Sequence, residues 1–323
     1  MTILKKIIIA VNIITIFISA NSNGQRYEQK KQRDGKCISI ETINIEASDK
    51  KANIQTNTHQ QAIILIPGLM SDDSVWENIT KPLSKHYQIH KVNISGFAGK
   101  VPCSENENIL PQVKLELENY IHQQQLIKPI LMGHSLGAFL SYWLAIDNPN
   151  TFSSLLAVDG LPFLSPIFTH NANTTAQDMA LQASNIKTMY AQSTAEQRKN
   201  MTMPSLYIQA RSDKNQQKIL SMVMKSDGTT IGSAIATMLT TDLRKNARQI
   251  TIPVLLLAAQ GALPNKAMKQ SATLLYQQQI DNIEKAKLVI NKQARHFIMF
   301  DEPQWFEQQV MQFLLNPTSK VKK

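Results

Sequence analysis

The feature that most constrains this chain is a repeated exchange between short, solidly apolar runs and longer segments with helical spacing. "AIILI" (Ala62 to Ile66) ends abruptly at Pro67 and Gly68. "KPILMGHS", "FSSLLAVDG", "ITIPVLLLAAQG" and "KAKLVINKQ" are runs of the same kind, and "YQIHKVNISGFAG" leads into a glycine loop. Continuous apolar character, rather than strict alternation, marks a strand buried on both faces. Between these runs stand "DDSVWENITKPLSKH", "LPQVKLELENYIHQQQL", "LGAFLSYWLAIDNP", "NKAMKQSATLLYQQQI" and "PQWFEQQVMQFLL", with apolar residues at helical intervals such as Val113, Leu117 and Ile121. Strand and helix in alternation predict an α/β fold, a mostly parallel central sheet with helices on both faces. "CISIETINIE" (Cys37 to Glu46) alternates apolar and polar residues, as an edge strand does.

The alternation lapses after Gly160. From Pro162 to about Arg248 the sequence is rich in Met, Gln, Ala and Ser and carries no strand signal. Residues 161–249 are therefore expected to form an inserted helical cap. It splits a core into a first part, 23–160, and a second part, 250–316, with a basic tail at 317–323.

The first residues have the three parts of a secretory signal, expected over 1–22. Lys5 and Lys6 give a positive start, Ile7 to Ile18 an apolar centre, and Ala20 and Ser22 the small residues of a cut before Asn23. An uncleaved N-terminal anchor is the competing reading. An exported, periplasmic or secreted protein with no membrane span after cleavage is the expectation. Cys37 and Cys103 are the only cysteines. In an exported chain an even pair invites a disulfide, which here would staple the N-terminal arm to the loop after "YQIHKVNI"; spacing alone does not show that the two meet. The formal charge is +10, of which Lys5, Lys6, Lys320, Lys322 and Lys323 supply half. No basic run interleaved with aromatics occurs, which argues against a nucleic-acid partner. No CxxC is present and the seven histidines are scattered rather than clustered as ligands, so neither a metal nor a cofactor is expected.

"ILMGHSLGAF" (Ile130 to Phe139) places Ser135 between two glycines at a strand-to-helix junction. That context gives G-x-S-x-G its meaning: a sharp turn lifts the serine above the sheet and aims the Leu136 N–H at a developing oxyanion. "LIPGLMSDDSVW" follows an early strand, where Gly68 lets the backbone turn inward and the Leu69 N–H can serve as a second donor. Among histidines after Ser135, His170 falls in a polar stretch of the insertion, whereas His296 lies between the last strand and the last helix. His134, inside the turn, is expected to direct its ring elsewhere.

Together with "VDGLPF", "DLRKNARQITIPVLLL" and "ARHFIMFDEPQWFEQQVMQFL", these motifs make the chain resemble the α/β-hydrolase fold family, over nearly all of its length after the signal. The closest likeness is to serine carboxylesterase-like members with a helical cap. The resemblance implies Ser135 as nucleophile, His296 as base, and acyl transfer through an acyl-enzyme. It also implies a carboxylate, often found in the turn after the strand that follows the cap. Here that turn reads "AAQGALPN" and has none. Asp159, at the end of "FSSLLAVDG", takes the role instead; Asp301 and Glu302 lie too near His296 in sequence, and Asp242 is better placed to pair with Arg244. Leu161 and Phe163, just after Asp159, are the pocket candidates, and most of the cap methionines are expected to pack its helices. The expected substrate is a small ester with an apolar acyl group. Thioester, lactone or amide hydrolysis, acyl transfer, or a binding role on the same scaffold remain open; haloalkane and epoxide chemistry would place an Asp where Ser135 stands.

Overall fold

A computed structural model describes residues 35–44 and 61–315. The expected signal segment (1–22) and basic tail (317–323) lie outside the described residues. Seven strands form one sheet: β1 (Ile38–Ile43), β2 (Ala62–Ile66), β3 (Gln88–Ile94), β4 (Ile130–His134), β5 (Ser154–Val158), β6 (Val254–Ala259) and β7 (Ala286–Asn291). Their order is β1-β3-β2-β4-β5-β6-β7. Every pairing is parallel except that of β1 with β3, so the alternating segment is an antiparallel edge strand. Every residue of β2, β4 and β5 is buried, which is why these strands read as unbroken apolar runs.

The helices of the sheet layers are α1 (Glu77–Ser84), α2 (Ile109–Gln123) and α3 (Leu136–Asp147). Six more, α4 (Ser165–Thr169), α5 (Ala180–Ala191), α6 (Ala195–Thr202), α7 (Leu206–Gln209), α8 (Asp213–Lys225) and α9 (Gly228–Thr240), lie between β5 and β6. The chain closes with α10 (Lys266–Ile280), α11 (Ile298–Asp301) and α12 (Pro303–Leu315). Within the insertion α5 lies along α9. The insertion is tied to the loop after β3, where the Asp227 N–H donates to Gly96 O (2.6 Å) and the Ala98 N–H donates to Ser226 Oγ (2.8 Å). A disulfide joins Cys37 to Cys103 and anchors that same loop to the edge strand. The Glu116 carboxylate on α2 accepts from the Cys37 and Ile38 amides at 2.9–3.1 Å. Trp76 is fully buried and stacks on Phe306 of α12.

The strand order places the site. From β2 the chain steps to β3 on one side, then returns to β4 on the other. The crevice at such a reversal, outside the carboxyl ends of the strands, is where open α/β sheets bind ligands. Ile66 pairs with Gly133 and His134 with Val158, so the turns after β2, β4 and β5 emerge side by side. Among the described residues no helix is long and apolar enough to cross a membrane.

Candidate active site

Ser135 occupies the N-cap of α3 with φ 53° and ψ −114°, a conformation that costs a non-glycine residue on the order of 1–3 kcal/mol. Tight packing holds it there. A Cβ on Gly133 would lie 2.1 Å from Gly137 O, and one on Gly137 would lie 2.1 Å from Ile66 O. Only hydrogen fits at either position, so the two glycines let α3 descend onto β2 and β4. The Ser135 N–H donates to Val158 O (2.9 Å), pinning the turn to β5. Leu136 begins α3, where helix amides have no partner within the helix and carry the positive end of its dipole.

The turn after β2 comes up against this elbow. A Cβ on Gly68 would approach Ser135 Cβ to 3.3 Å and His134 Nδ1 to 2.7 Å. Met70 follows with φ 59°, and the Ser71 N–H closes the turn on Gly68 O (3.2 Å). The amides of Leu69 and Leu136 donate no hydrogen bond among the described residues. Two N–H groups without a partner among the described residues thus belong to the two turns that meet at the elbow.

Asp159 follows β5 directly, with φ 46° and its N–H donating to Leu257 O (2.7 Å). Its Oδ2 lies 2.7 Å from His296 Nδ1. Its Oδ1 accepts from the Ala259 N–H (2.8 Å) and the Tyr276 hydroxyl (3.1 Å). Strand β6, whose following turn lacks a carboxylate, thus supplies a backbone donor that holds one borrowed from β5. Burial, and then the Asp159 charge, push the Tyr276 phenol well above the ordinary tyrosine value, so it remains a donor. With both oxygens engaged and the side chain only 9% exposed, the carboxylate cannot turn away from the imidazole. A carboxylate at Nδ1 fixes the neutral ring with its proton on that nitrogen, leaving Nε2 a free base. Neither His296 Nε2 nor Ser135 Oγ forms a hydrogen bond among the described residues; such contacts commonly tighten only when substrate is bound.

His134 turns its ring to the base-bearing loop and forms no hydrogen bond with Ser135 among the described residues. Its ring lies 4.6 Å from that of His296 and 4.5 Å from that of Phe297. Its Nε2–H donates to His296 O (3.1 Å), while Nδ1 is buried with no partner among the described residues. Burial, and then the neighbouring His296, hold His134 well below the ordinary histidine value, so it stays neutral. Contact across 162 residues leaves no mark in local sequence, and this one could not have been read there. His170 is exposed at the end of α4. Asp242 pairs with Arg244 (2.6 Å). Leu161 and Phe163 are both buried; the Phe163 ring lies beneath the Arg244 guanidinium (4.7 Å to its centroid), and its N–H donates to Gln279 Oε1. His86 and His90 stand four apart, but His90 is engaged by Tyr120 (2.7 Å) and Gln88 (3.1 Å). Among the described residues no cluster of three His, Cys, Asp or Glu is arranged to hold a metal.

A sequence model of the α/β hydrolase fold matches residues 61–303. The chain is 21% identical over 259 residues to a pimeloyl-[acyl-carrier protein] methyl ester esterase of Nitrosomonas europaea, covering 77% of this chain and 95% of that one. It is 26% identical over 113 residues to the enzyme of that name from Aliivibrio fischeri, where the match spans 34% of this chain and 41% of the relative. Among solved structures, MenH from S. aureus superposes with a TM-score of 0.67 at 14% identity, covering 87% of this chain and 99% of that one. An esterase from Exiguobacterium antarcticum gives 0.66 at 16%, covering 86% and 95%. From the matched family model, the sheet order and the strained serine elbow together, it follows that this chain belongs to the α/β hydrolase fold family.

Proposed function

We propose that the protein is a serine hydrolase that cleaves a small carboxylic ester through an acyl-enzyme. The observation that carries this is the fully committed Asp159 carboxylate, one oxygen on His296 Nδ1 at 2.7 Å and the other held by Ala259 and Tyr276, beside a serine in a strained elbow. In this reading His296 Nε2 removes the Ser135 proton as Oγ attacks the ester carbonyl. The Leu69 and Leu136 amides receive the oxyanion, and the imidazolium returns the proton to the departing alcohol. Water repeats the sequence on the acyl-enzyme. Asp159 orients the ring and stabilises its charge.

Ester chemistry is supported by the relatives named as methyl ester esterases. An apolar acyl group fits a site whose neighbouring residues include Leu69, Met70 and Leu161. The protein acts after export, in the periplasm or outside the cell. The three-part N-terminal pattern and the Cys37–Cys103 disulfide support that reading. A panel of p-nitrophenyl esters of increasing chain length tests the activity. Turnover of short or medium esters, abolished in Ser135→Ala, is expected; turnover only of thioesters, lactones or amides would replace the substrate class. N-terminal mass analysis of the processed protein, expected to begin at Asn23, tests export.

A further inference from the structure

The loop that carries the base is bonded on one side to the sheet, where the Gly261 N–H after β6 donates to Ala294 O (2.8 Å) and His134 Nε2–H donates to His296 O (3.1 Å), and on the other side to the insertion. Helix α7 is one turn long, and its last carbonyls have no partner within it. Two of them accept from the loop that carries the base: the His296 N–H donates to Ile208 O (3.0 Å) and the Phe297 N–H to Gln209 O (2.9 Å). Two consecutive amides of the base-bearing loop thus cap the C-terminal end of α7.

One buried side chain joins the two segments. Asp301 Oδ1 accepts from the Arg211 N–H (2.8 Å), at the end of the α7 segment, and Oδ2 accepts from the Arg295 N–H (3.0 Å), one residue before the base. The Arg295 guanidinium reaches back to Ala210 O (3.1 Å), and the Arg211 guanidinium reaches Glu302 (2.7 Å). Two amides from segments more than eighty positions apart share one carboxylate, in charge-assisted bonds of the stronger kind.

We propose that Asp301 is a positioning residue for His296: its carboxylate staples the 206–211 segment of the insertion to the base-bearing loop. The insertion is then part of the catalytic frame, and its displacement carries the base away from Ser135. This rests on His296 serving as the base. Asp301 touches neither the imidazole nor the serine, so its effect passes through the backbone alone. A displacement of the base by about 1 Å can lower the rate about 100-fold.

The test compares wild type with Asp301→Ala, Asp301→Asn and Arg211→Ala. Arg211→Ala removes the exposed guanidinium and keeps the amide. For Asp301→Ala, kcat on a p-nitrophenyl ester should fall about 10–100-fold with KM within about 3-fold. Asp301→Asn, retaining one carbonyl oxygen, should fall between it and wild type, and Arg211→Ala, which loses the guanidinium's bonds to Asp301 O and Glu302 but keeps the amide on Oδ1, should fall less than Asp301→Ala. Amide hydrogen exchange should show peptides covering 206–211 and 294–298 losing protection together in Asp301→Ala. If that variant does not fold, Asp301→Asn carries both measurements. An unchanged kcat, or exchange that rises in one segment but not the other, overturns the proposal. The exchange readout does not depend on the bond cleaved, so it stands apart from a wild type inactive on esters, which would instead overturn the proposed function.

Discussion

Replacing Asp159 by Asn keeps the shape of the side chain and changes which of its atoms can accept a hydrogen bond. Three donors now converge on the carboxylate: His296 Nδ1–H on Oδ2, and the Ala259 N–H and Tyr276 O–H on Oδ1. An amide offers one oxygen. The Ala259 N–H is backbone and can only donate, so the carboxamide oxygen turns toward it and its NH2 faces His296. The imidazole must then accept at Nδ1 and carry its proton on Nε2, the tautomer that cannot take a proton from Ser135. The loss expected from a wrong tautomer is about 10⁴-fold in kcat/KM, or about 5.5 kcal/mol of transition-state stabilisation. The opposite flip leaves two donors facing an NH2 inside a buried site, so neither orientation restores the network. The assay is steady-state hydrolysis of a p-nitrophenyl ester, with unfolding curves to show that the variant remains folded. Activity within tenfold of wild type would refute the reasoning and take the acid role from Asp159.

The Cys37–Cys103 bond closes a loop of 66 positions, so the doubly substituted Cys37→Ser/Cys103→Ser protein should lose up to about 4 kcal/mol of unfolding free energy; equal denaturant midpoints for oxidised and substituted forms would contradict this. His134 is buried and neutral, its pKa lowered well below 6.5 by burial. The unfolded imidazole takes up a proton below 6.5 and the folded one does not, so this contribution is whole above that pH and is lost as pH falls. The slope is up to about 1.4 kcal/mol per pH unit. Urea unfolding of wild type and His134→Gln at pH 7 and pH 5 measures it, and identical pH slopes would count against it. A Cβ at residue 160 would lie 2.4 Å from Ser135 O and 2.6 Å from Ala138 Cβ. Gly160→Ala should therefore destabilise by about 1–3 kcal/mol and slow modification of Ser135, and a variant unchanged in both would show that the elbow has room to spare.

The sheet was legible because its central strands are buried on both faces and so appear as uninterrupted apolar runs, as in "AIILI". The elbow was legible because Gly133 and Gly137 are demanded by backbone contact, a requirement that only one residue type meets. Asp159 emerged by elimination, from an empty turn after β6. What holds it was not legible: the Ala259 donor is an amide, which any residue but proline could supply, and Tyr276 lies 117 positions away on α10. Likewise, sequence nearness to His296 set Asp301 aside as an acid, and nothing in the local pattern shows that its partners are two backbone N–H groups. The cysteines could be counted, but only the fold brings them together across the edge of the sheet. Local residue types report burial and turns; long-range backbone hydrogen bonds leave them unchanged.

The central claim is that Ser135 is a nucleophile activated by His296. Incubating the folded protein with a fluorophosphonate and mapping the adduct by peptide mass spectrometry tests it most directly. A single stoichiometric adduct on Ser135 is expected, absent in Ser135→Ala and slowed by orders of magnitude in His296→Ala. Folded protein that takes up no label at Ser135, or takes it up equally fast without His296, would contradict it.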